Sequence, residues 1–257
     1  MDCVSISCER LADLPGHLAL AKLHGLGLEL QEFSNPNLLD DDWHGRIREY
    51  RAHLDSYEEP ITMHGAFIDL ISGSPDKRVA TIARDRYQQN LEVAHEIGAK
   101  VIDFHANYLP LVDHPSYLPE WEKRQVDFWA PLAEEAGRLG VMLVLENMWE
   151  PDPSIICRVL NRIHSPHLKA CLDVGHASLY SRLPVSQWIK QLGDQLVYTH
   201  LHNNHGTTDE HLAFSDGVLD FPELLATLRA LPKPPMFVLE LPTLSSIEAS
   251  LSYLELE

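Results

Sequence analysis

From residue 61 onward, short apolar runs end one after another in a side chain able to bind a metal ion. Ile61-Thr62-Met63 leads to His64, and Val101-Ile102-Asp103-Phe104 leads to His105. Met142-Leu143-Val144-Leu145 ends in Glu146, Ala170-Cys171-Leu172 in Asp173, Val197-Tyr198-Thr199 in His200, and Phe237-Val238-Leu239 in Glu240. His202 lies two residues past His200, His176 three past Asp173, and Asp209 and His211 follow in the next segment. His, Asp and Glu make up about one residue in five of this chain, so a single coincidence carries little. A lone His64 reads more readily as a hydrogen-bonded core histidine than as a ligand. The carboxylates are more demanding, because Glu146, Asp173 and Glu240 each close an apolar run where an unpaired charge is costly. A cation, or several donors, must compensate them. Imidazole with carboxylate and no thiolate suits Zn, Mn, Fe or Co at a reactive site and disfavours a Cys-rich structural one. Such a set polarises a carbonyl or phosphoryl oxygen or activates water, and its carboxylates can move protons.

Something must bring these scattered run-ends together. Eight β-like runs alternate with longer amphipathic segments: Val4–Cys8, Leu28–Phe33, Ile61–Ala66, Lys100–His105, Val141–Glu146, Leu168–Asp173, Leu196–His202 and Met236–Leu241. Between them, the spacing predicts helices around Gly16–His24, Trp43–Leu54, Asp76–Ile97 with Gly98 as its stop, a stretch ending near Gly140, one from about Ser154, and a last one near Ile247–Leu254. Eight β-then-α units in 257 residues with no composition break predict one domain over 1–257, a single closed (β/α)8 TIM barrel. An open doubly wound sheet is the alternative, but no Gly-rich phosphate loop follows the first run. In the barrel the chemistry sits at the C-terminal ends of the strands, where the candidate ligands fall. Period-two alternation turns Thr62, Asp103, Val144, Cys171, Tyr198 and Val238 inward below them. Asp103 then lies where it can accept a bond from an imidazole, or be a salt-bridged surface residue. Parity turns both His200 and His202 inward. Cys8, Glu9 and Glu32 read as structural or as pocket wall. Trp43, Tyr108 and Trp149 fall in or near βα loops, as loop packing or as platforms for a sugar face.

Composition narrows the partners. Apolar residues make up 45% and charged residues 23%, ordinary for a globular chain. The formal net charge is −18, with 20 Lys and Arg against 38 Asp and Glu. Phosphate neutralisation supplies most nucleic-acid affinity, so a nucleic-acid partner is disfavoured and a small-molecule substrate expected. No apolar run reaches the ~20 residues of a membrane span. Asp2 stands where a signal peptide carries basic residues, and the four cysteines (Cys3, Cys8, Cys157, Cys171) show no C-x-x-C spacing. The expectation is a cytoplasmic protein with reduced thiols; a homo-oligomer stays open.

Leu145-Glu146-Asn147, Cys171-Leu172-Asp173-Val174-Gly175-His176, His200-Leu201-His202-Asn203-Asn204-His205-Gly206 and Asp209-Glu210-His211-Leu212 resemble the xylose isomerase-like barrel superfamily. That superfamily holds sugar and sugar-phosphate isomerases and epimerases, and apurinic endonucleases of the endonuclease IV type. The resemblance covers strands three to eight. Its epimerase pattern implies one divalent ion (Zn, Mn, Co or Mg) held by Glu146, Asp173, His200 and Glu240. The two glutamates would be the catalytic acid and base, and His176 a substrate contact. The endonuclease pattern implies up to three ions and adds His64, His105, His176, Asp209 and His211, all present here. In the first pattern His64, His105, His176 and His202 would bind substrate; His200 matches the family register as the ligand. Two positions depart from the family: Asn203 stands where an acid is usual, and Ser215-Asp216-Gly217 replaces a Gly-Glu-Gly loop.

Two functions follow. The resemblance and the carboxylate pair favour a metal-dependent isomerase or epimerase of a sugar, sugar phosphate or polyol, moving a proton beside a metal-polarised carbonyl. The nine-residue set instead favours a multinuclear phosphoester hydrolase, which the acidic charge directs to a small substrate rather than DNA. A metal-free binding barrel would leave the buried carboxylates unexplained. If Glu146 and Glu240 share one ion, their carboxylates lie within about 8 Å of each other, since metal–oxygen bonds are near 2.0–2.2 Å.

Overall fold

The alternating and 3.6-residue periods resolve into strands and the helices that cross over them. The computed structural model describes residues 1–112 and 114–256. In chain order the elements are β1 (Val4–Cys8), α1 (Leu14–His24), β2 (Gly27–Leu30), α2 (Pro36–Leu39), α3 (Trp43–Leu54), β3 (Ile61–His64), α4 (Lys77–Ile97), β4 (Val101–His105), α5 (Tyr117–Leu139), β5 (Met142–Glu146), α6 (Ser154–Ile163), β6 (Leu168–Asp173), α7 (Val174–Tyr180), α8 (Val185–Leu192), β7 (Leu196–Leu201), α9 (Phe221–Arg229), β8 (Met236–Leu239) and α10 (Leu244–Leu251). Each strand pairs in parallel with the next, and β8 closes on β1, so the chain is a (β/α)8 barrel. No helix among the described residues is long and apolar enough to cross a membrane.

The core has two layers. Outward-facing strand residues pack beneath the helices with Tyr87, Trp129 and Trp188, all fully buried. Inside the barrel Val144, Cys171, Tyr198 and Val238 form a separate plug below the mouth. Helix ends follow their residues. The Asp76 carboxylate accepts from Arg78 N at 2.8 Å to start α4, and Gly98 stops that helix at φ 86°, a conformation open to glycine.

Two departures from the expected elements matter for the site. The second strand ends at Leu30 rather than Phe33, and Glu32–Ser34 form a single 3-10 turn. Glu32 thereby leaves the sheet: its carboxylate accepts from Leu11 N (2.8 Å), Arg46 (2.7 Å) and Tyr50 Oη (2.7 Å), tying the ends of β1 and β2 to α3. The second departure is a bulge. Ala170 pairs with Leu196 but Cys171 pairs with Tyr198, so Val197 has no opposite number. This one-residue shift brings Asp173 level with His200 instead of Thr199. A bulge re-aims side chains in this way, and a one-residue slip exchanges the two faces of a strand.

Candidate metal centre and active site

Strand register sets the site. It pairs His64 with Asp103, His105 with Glu146, and Asp173 with His200 at the barrel mouth. Glu240 follows β8 directly. Around His200 Nδ1 lie Glu146 Oε2 at 3.4 Å, Glu240 Oε2 at 3.5 Å and Asp173 Oδ2 at 4.0 Å. The two glutamate oxygens therefore lie closer to each other than 8 Å. His200 Nδ1 and Glu146 Oε2 are buried and have no hydrogen-bond partner among the described residues. Buried polar atoms converging on one point without hydrogen-bond partners are what a divalent cation would satisfy. Glu146, Asp173, His200 and Glu240 thus fit one such ion.

Two lobes flank this point. On one side the donor atoms of His64, Asp103, His105 and Glu146 lie within 4.8 Å of one another, and on the other so do those of His176, His202, Asp209 and His211. Glu146 Oε2 is 3.4 Å from His105 Nε2 and 3.7 Å from His64 Nε2, so it borders both the centre and the first lobe. Backbone carbonyls fix several rings. His64 Nδ1 is 2.8 Å from Gly65 O, His176 Nδ1 3.0 Å from Asn147 O, and His211 Nδ1 3.0 Å from Glu240 O. A carbonyl only accepts, so each Nδ1 carries the hydrogen and each Nε2 is left for the site. His176 and His211 point Nε2 at Asp209 Oδ2, at 3.1 and 3.3 Å.

Charge is distributed unevenly among these groups. Burial drops His105 to about 3, so its ring is neutral and ready to ligate. Burial also works against charge on His176, but Asp173 and its neighbours outweigh it and hold the ring well above its ordinary range. Glu240 and Glu29 do the same for His200. Burial and the adjoining Glu146 push Asp103 well up, while His200 and His105 hold Glu146 well down against burial. Asp103 is therefore the more readily protonated of the two carboxyls. The protons on these imidazoles are those that a cation displaces.

Every residue expected at the site converges on the barrel mouth, but not in one role. His64, His105, Glu146, His176, Asp209, His211 and Glu240 line a cavity of about 470 Å³. His202 is expected to touch substrate, but it does not line this cavity. Its ring is fully buried, with Nε2 3.0 Å from Asp173 Oδ2, and it stacks on His211 at 3.8 Å, so it stands behind the cavity wall. The loop aromatics are packing: Trp43 stacks on His44, and Tyr108 packs on Tyr117 and Trp121. Trp149 is half-exposed and outside the cavity. Phe67, three residues past β3, lines the cavity instead, 4.7 Å from His105 and 5.2 Å from His64. The sequence reading missed it, as it missed Glu29, buried in β2 and 2.9 Å from His200 Nε2. Glu9 lines the cavity and Cys8 is buried in β1.

Asn203 has a structural task. Its amide donates to Phe214 O (3.0 Å) and Leu219 O (3.2 Å), and its oxygen accepts from Asn204 N and Leu219 N. An acid there would set an oxygen against two carbonyls. Asn203→Asp is expected to lower stability by roughly 1–3 kcal/mol, the cost of unmade buried bonds, and a thermal melt measures it. Ser215-Asp216-Gly217 likewise lies off the cavity wall.

The fold and this constellation define a xylose isomerase-like barrel. Residues 20–256 match the family described as the xylose isomerase-like TIM barrel, and the chain belongs to it. An uncharacterized protein of Methanocaldococcus jannaschii is 27% identical over 184 residues, 68% of this chain and 62% of that protein. A second protein of that organism is matched over 64% of its length, so the chain spans just under two thirds of these two relatives. Fructoselysine 3-epimerase of Escherichia coli O157:H7 is 23% identical over 192 residues, 70% of this chain and 68% of that enzyme. Among solved structures, a Thermus thermophilus protein soaked with ZnCl2 has a TM-score of 0.81 and 27% identity, covering 98% of this chain and 96% of that one. A D-tagatose 3-epimerase-like protein has a TM-score of 0.79 at 22% identity over 95% and 93% of the two chains, a likeness of fold.

Proposed function

We propose that the protein is a divalent-metal-dependent isomerase or epimerase of a sugar or sugar phosphate. The observation that carries this reading is the pair of carboxylates, Glu146 and Glu240, each offering one oxygen to the same point beside His200 Nδ1. Glu146, Asp173, His200 and Glu240 would hold the ion, which supplies Lewis-acid polarisation of a substrate carbonyl. Glu146 and Glu240 come from strands on different sides of the barrel. They can address opposite faces of the carbon beside that carbonyl, one taking its proton and the other returning one. His64, His105 and His176 line the cavity and bind substrate hydroxyls, and Phe67 supplies a flat apolar wall. The epimerases among the similar proteins support this class of substrate.

A second reading rests on the two lobes. His64 and His105 beside Glu146, and His176, Asp209 and His211 opposite, make room for further ions, as in a small-molecule phosphoester hydrolase. One experiment separates the two. The protein is reconstituted with Mn or Zn, bound metal is counted, and ketoses and small phosphoesters are screened together in D2O. One ion per chain and deuterium at an inverted carbon are the expected result. Phosphate release that disappears in Asp209→Ala and His211→Ala, with no sugar interconversion, would overturn the first reading in favour of the second.

A further inference from the structure

Beneath the candidate ligands one polar network runs down the barrel axis toward the apolar plug. At its centre is Glu29, fully buried in β2, a position where an unpaired carboxylate is expensive. Both of its oxygens are occupied. Oε2 accepts from Tyr198 Oη at 2.7 Å and lies 2.9 Å from His200 Nε2. Oε1 accepts from Gln31 Nε2 at 3.1 Å. The same Gln31 nitrogen donates its other hydrogen to Glu240 Oε1 at 2.8 Å. Tyr198 Oη is completed by Thr62 Oγ1 at 2.6 Å. Glu29 therefore touches two of the four candidate ligands, one directly and one through a single amide.

We propose that Glu29 is the positioning residue of the metal centre: it turns His200 so that Nδ1 faces the ion and, through Gln31, holds Glu240 with Oε2 toward the same point. This rests on the reading that Glu146, Asp173, His200 and Glu240 hold a divalent ion. The direction of each bond gives the argument. An ionised carboxylate only accepts, so His200 Nε2 carries the hydrogen, and the Nδ1 lone pair is left for metal. Gln31 Nε2 only donates, and it spends both hydrogens on carboxylates, one below and one at the mouth. Glu240 Oε1 is capped by that bond, which leaves Oε2, 3.5 Å from His200 Nδ1, as the ligating oxygen. Glu29 and Gln31 are two apart in the chain and so share the inward face at successive levels.

Isosteric substitutions separate positioning from mere support. In Glu29→Gln the amide oxygen can still accept from His200, but its NH2 then meets the NH2 of Gln31, donor against donor. Gln31 can escape only by flipping, which turns its oxygen against Glu240. Gln31→Leu removes the link to Glu240 and leaves His200 anchored. Glu29→Asp draws the carboxylate back from His200. The readouts are Co2+ and Mn2+ affinity by calorimetry on the full chain, the visible spectrum of the Co2+ form, and the melting temperature of the metal-free protein. Glu29→Gln and Gln31→Leu are each expected to weaken metal binding about 10–100-fold, the usual loss when such partners are removed, with a changed Co2+ spectrum. The double variant is expected to lose little beyond Glu29→Gln alone, because both changes act on one chain of contacts. Unchanged affinity and spectrum in both single variants would overturn the proposal, and so would a lowered melting temperature with metal binding intact, which marks a structural role. A wild-type protein that binds neither ion defeats the reading of the site itself, and with it this inference.

Discussion

Glu146→Gln is expected to lower turnover by about 10²–10⁴-fold, the contribution of a positioned proton-transfer group, and to strip the protein of its metal response as well. No other carboxylate at the mouth has as many partners. Oε2 lies within 3.7 Å of His64, His105 and His200, and Oε1 is 3.1 Å from His176 Nδ1. Glutamine keeps the shape and removes the charge, and it turns an NH2 toward rings whose free nitrogens also await a cation. The metal response can be read without substrate. An ion at about 100 times its Kd stabilises the folded state by roughly 2.7 kcal/mol. In a chain of this size each kcal/mol moves the melting temperature by about 2–4 °C. The wild type should therefore melt about 5–11 °C higher with saturating Mn2+ or Zn2+, and Glu146→Gln should hardly move. A variant that keeps both the metal shift and the turnover would remove Glu146 from the centre.

The elements and most of the candidate site are legible because Glu146, Asp173, His200 and Glu240 each close an apolar run. Alternation then needs only one correct phase per strand to turn Asp103, Glu146 and Asp173 inward. The same rule reaches Glu29. In Leu28-Glu29-Leu30-Gln31 the leucines must face the helices, so Glu29 and Gln31 must face the barrel axis. The sign is faint because β2 ends in no histidine and the apolar pattern runs on to Phe33, so that Glu32 looks like the terminal residue although the strand stops at Leu30. Tertiary contacts decided the rest. His202 has the inward parity of a ligand, yet its ring is held between Asp173 and His211, a relation no spacing encodes. The bulge at Val197 is equally silent in the sequence, although without it Asp173 would sit beside Thr199 rather than His200. Phe67 lies past the strand end, where no periodicity says which way a loop residue turns.

The glycine of the Asp173-Val174-Gly175-His176 motif gives the second large effect, at a residue with no functional atom. A Cβ on Gly175 would overlap His202 Cε1 and lie 2.6 Å from Nδ1 and 2.7 Å from Nε2, far inside van der Waals contact with the ring. The ring has nowhere to go. Asp173 holds its Nε2 at 3.0 and 3.2 Å, and His211 stacks on it at 3.8 Å with an interplanar angle of 9°. Moving His202 therefore means moving Asp173 or His211, and His211 carries its bond to Glu240 O with it. Overpacking of this kind costs about 1–3 kcal/mol, so Gly175→Ala should melt roughly 2–12 °C lower at the 2–4 °C per kcal/mol of a chain this size. The larger loss should be in function, since a misplacement of about 1 Å at a positioned site can cost 10²-fold in rate. His202→Ala in the same background relieves the clash by removing the ring. If crowding is the cause, the double variant should recover melting temperature relative to Gly175→Ala. A double variant that melts lower still would mean that Gly175 is required for its backbone and not for the space it leaves to His202.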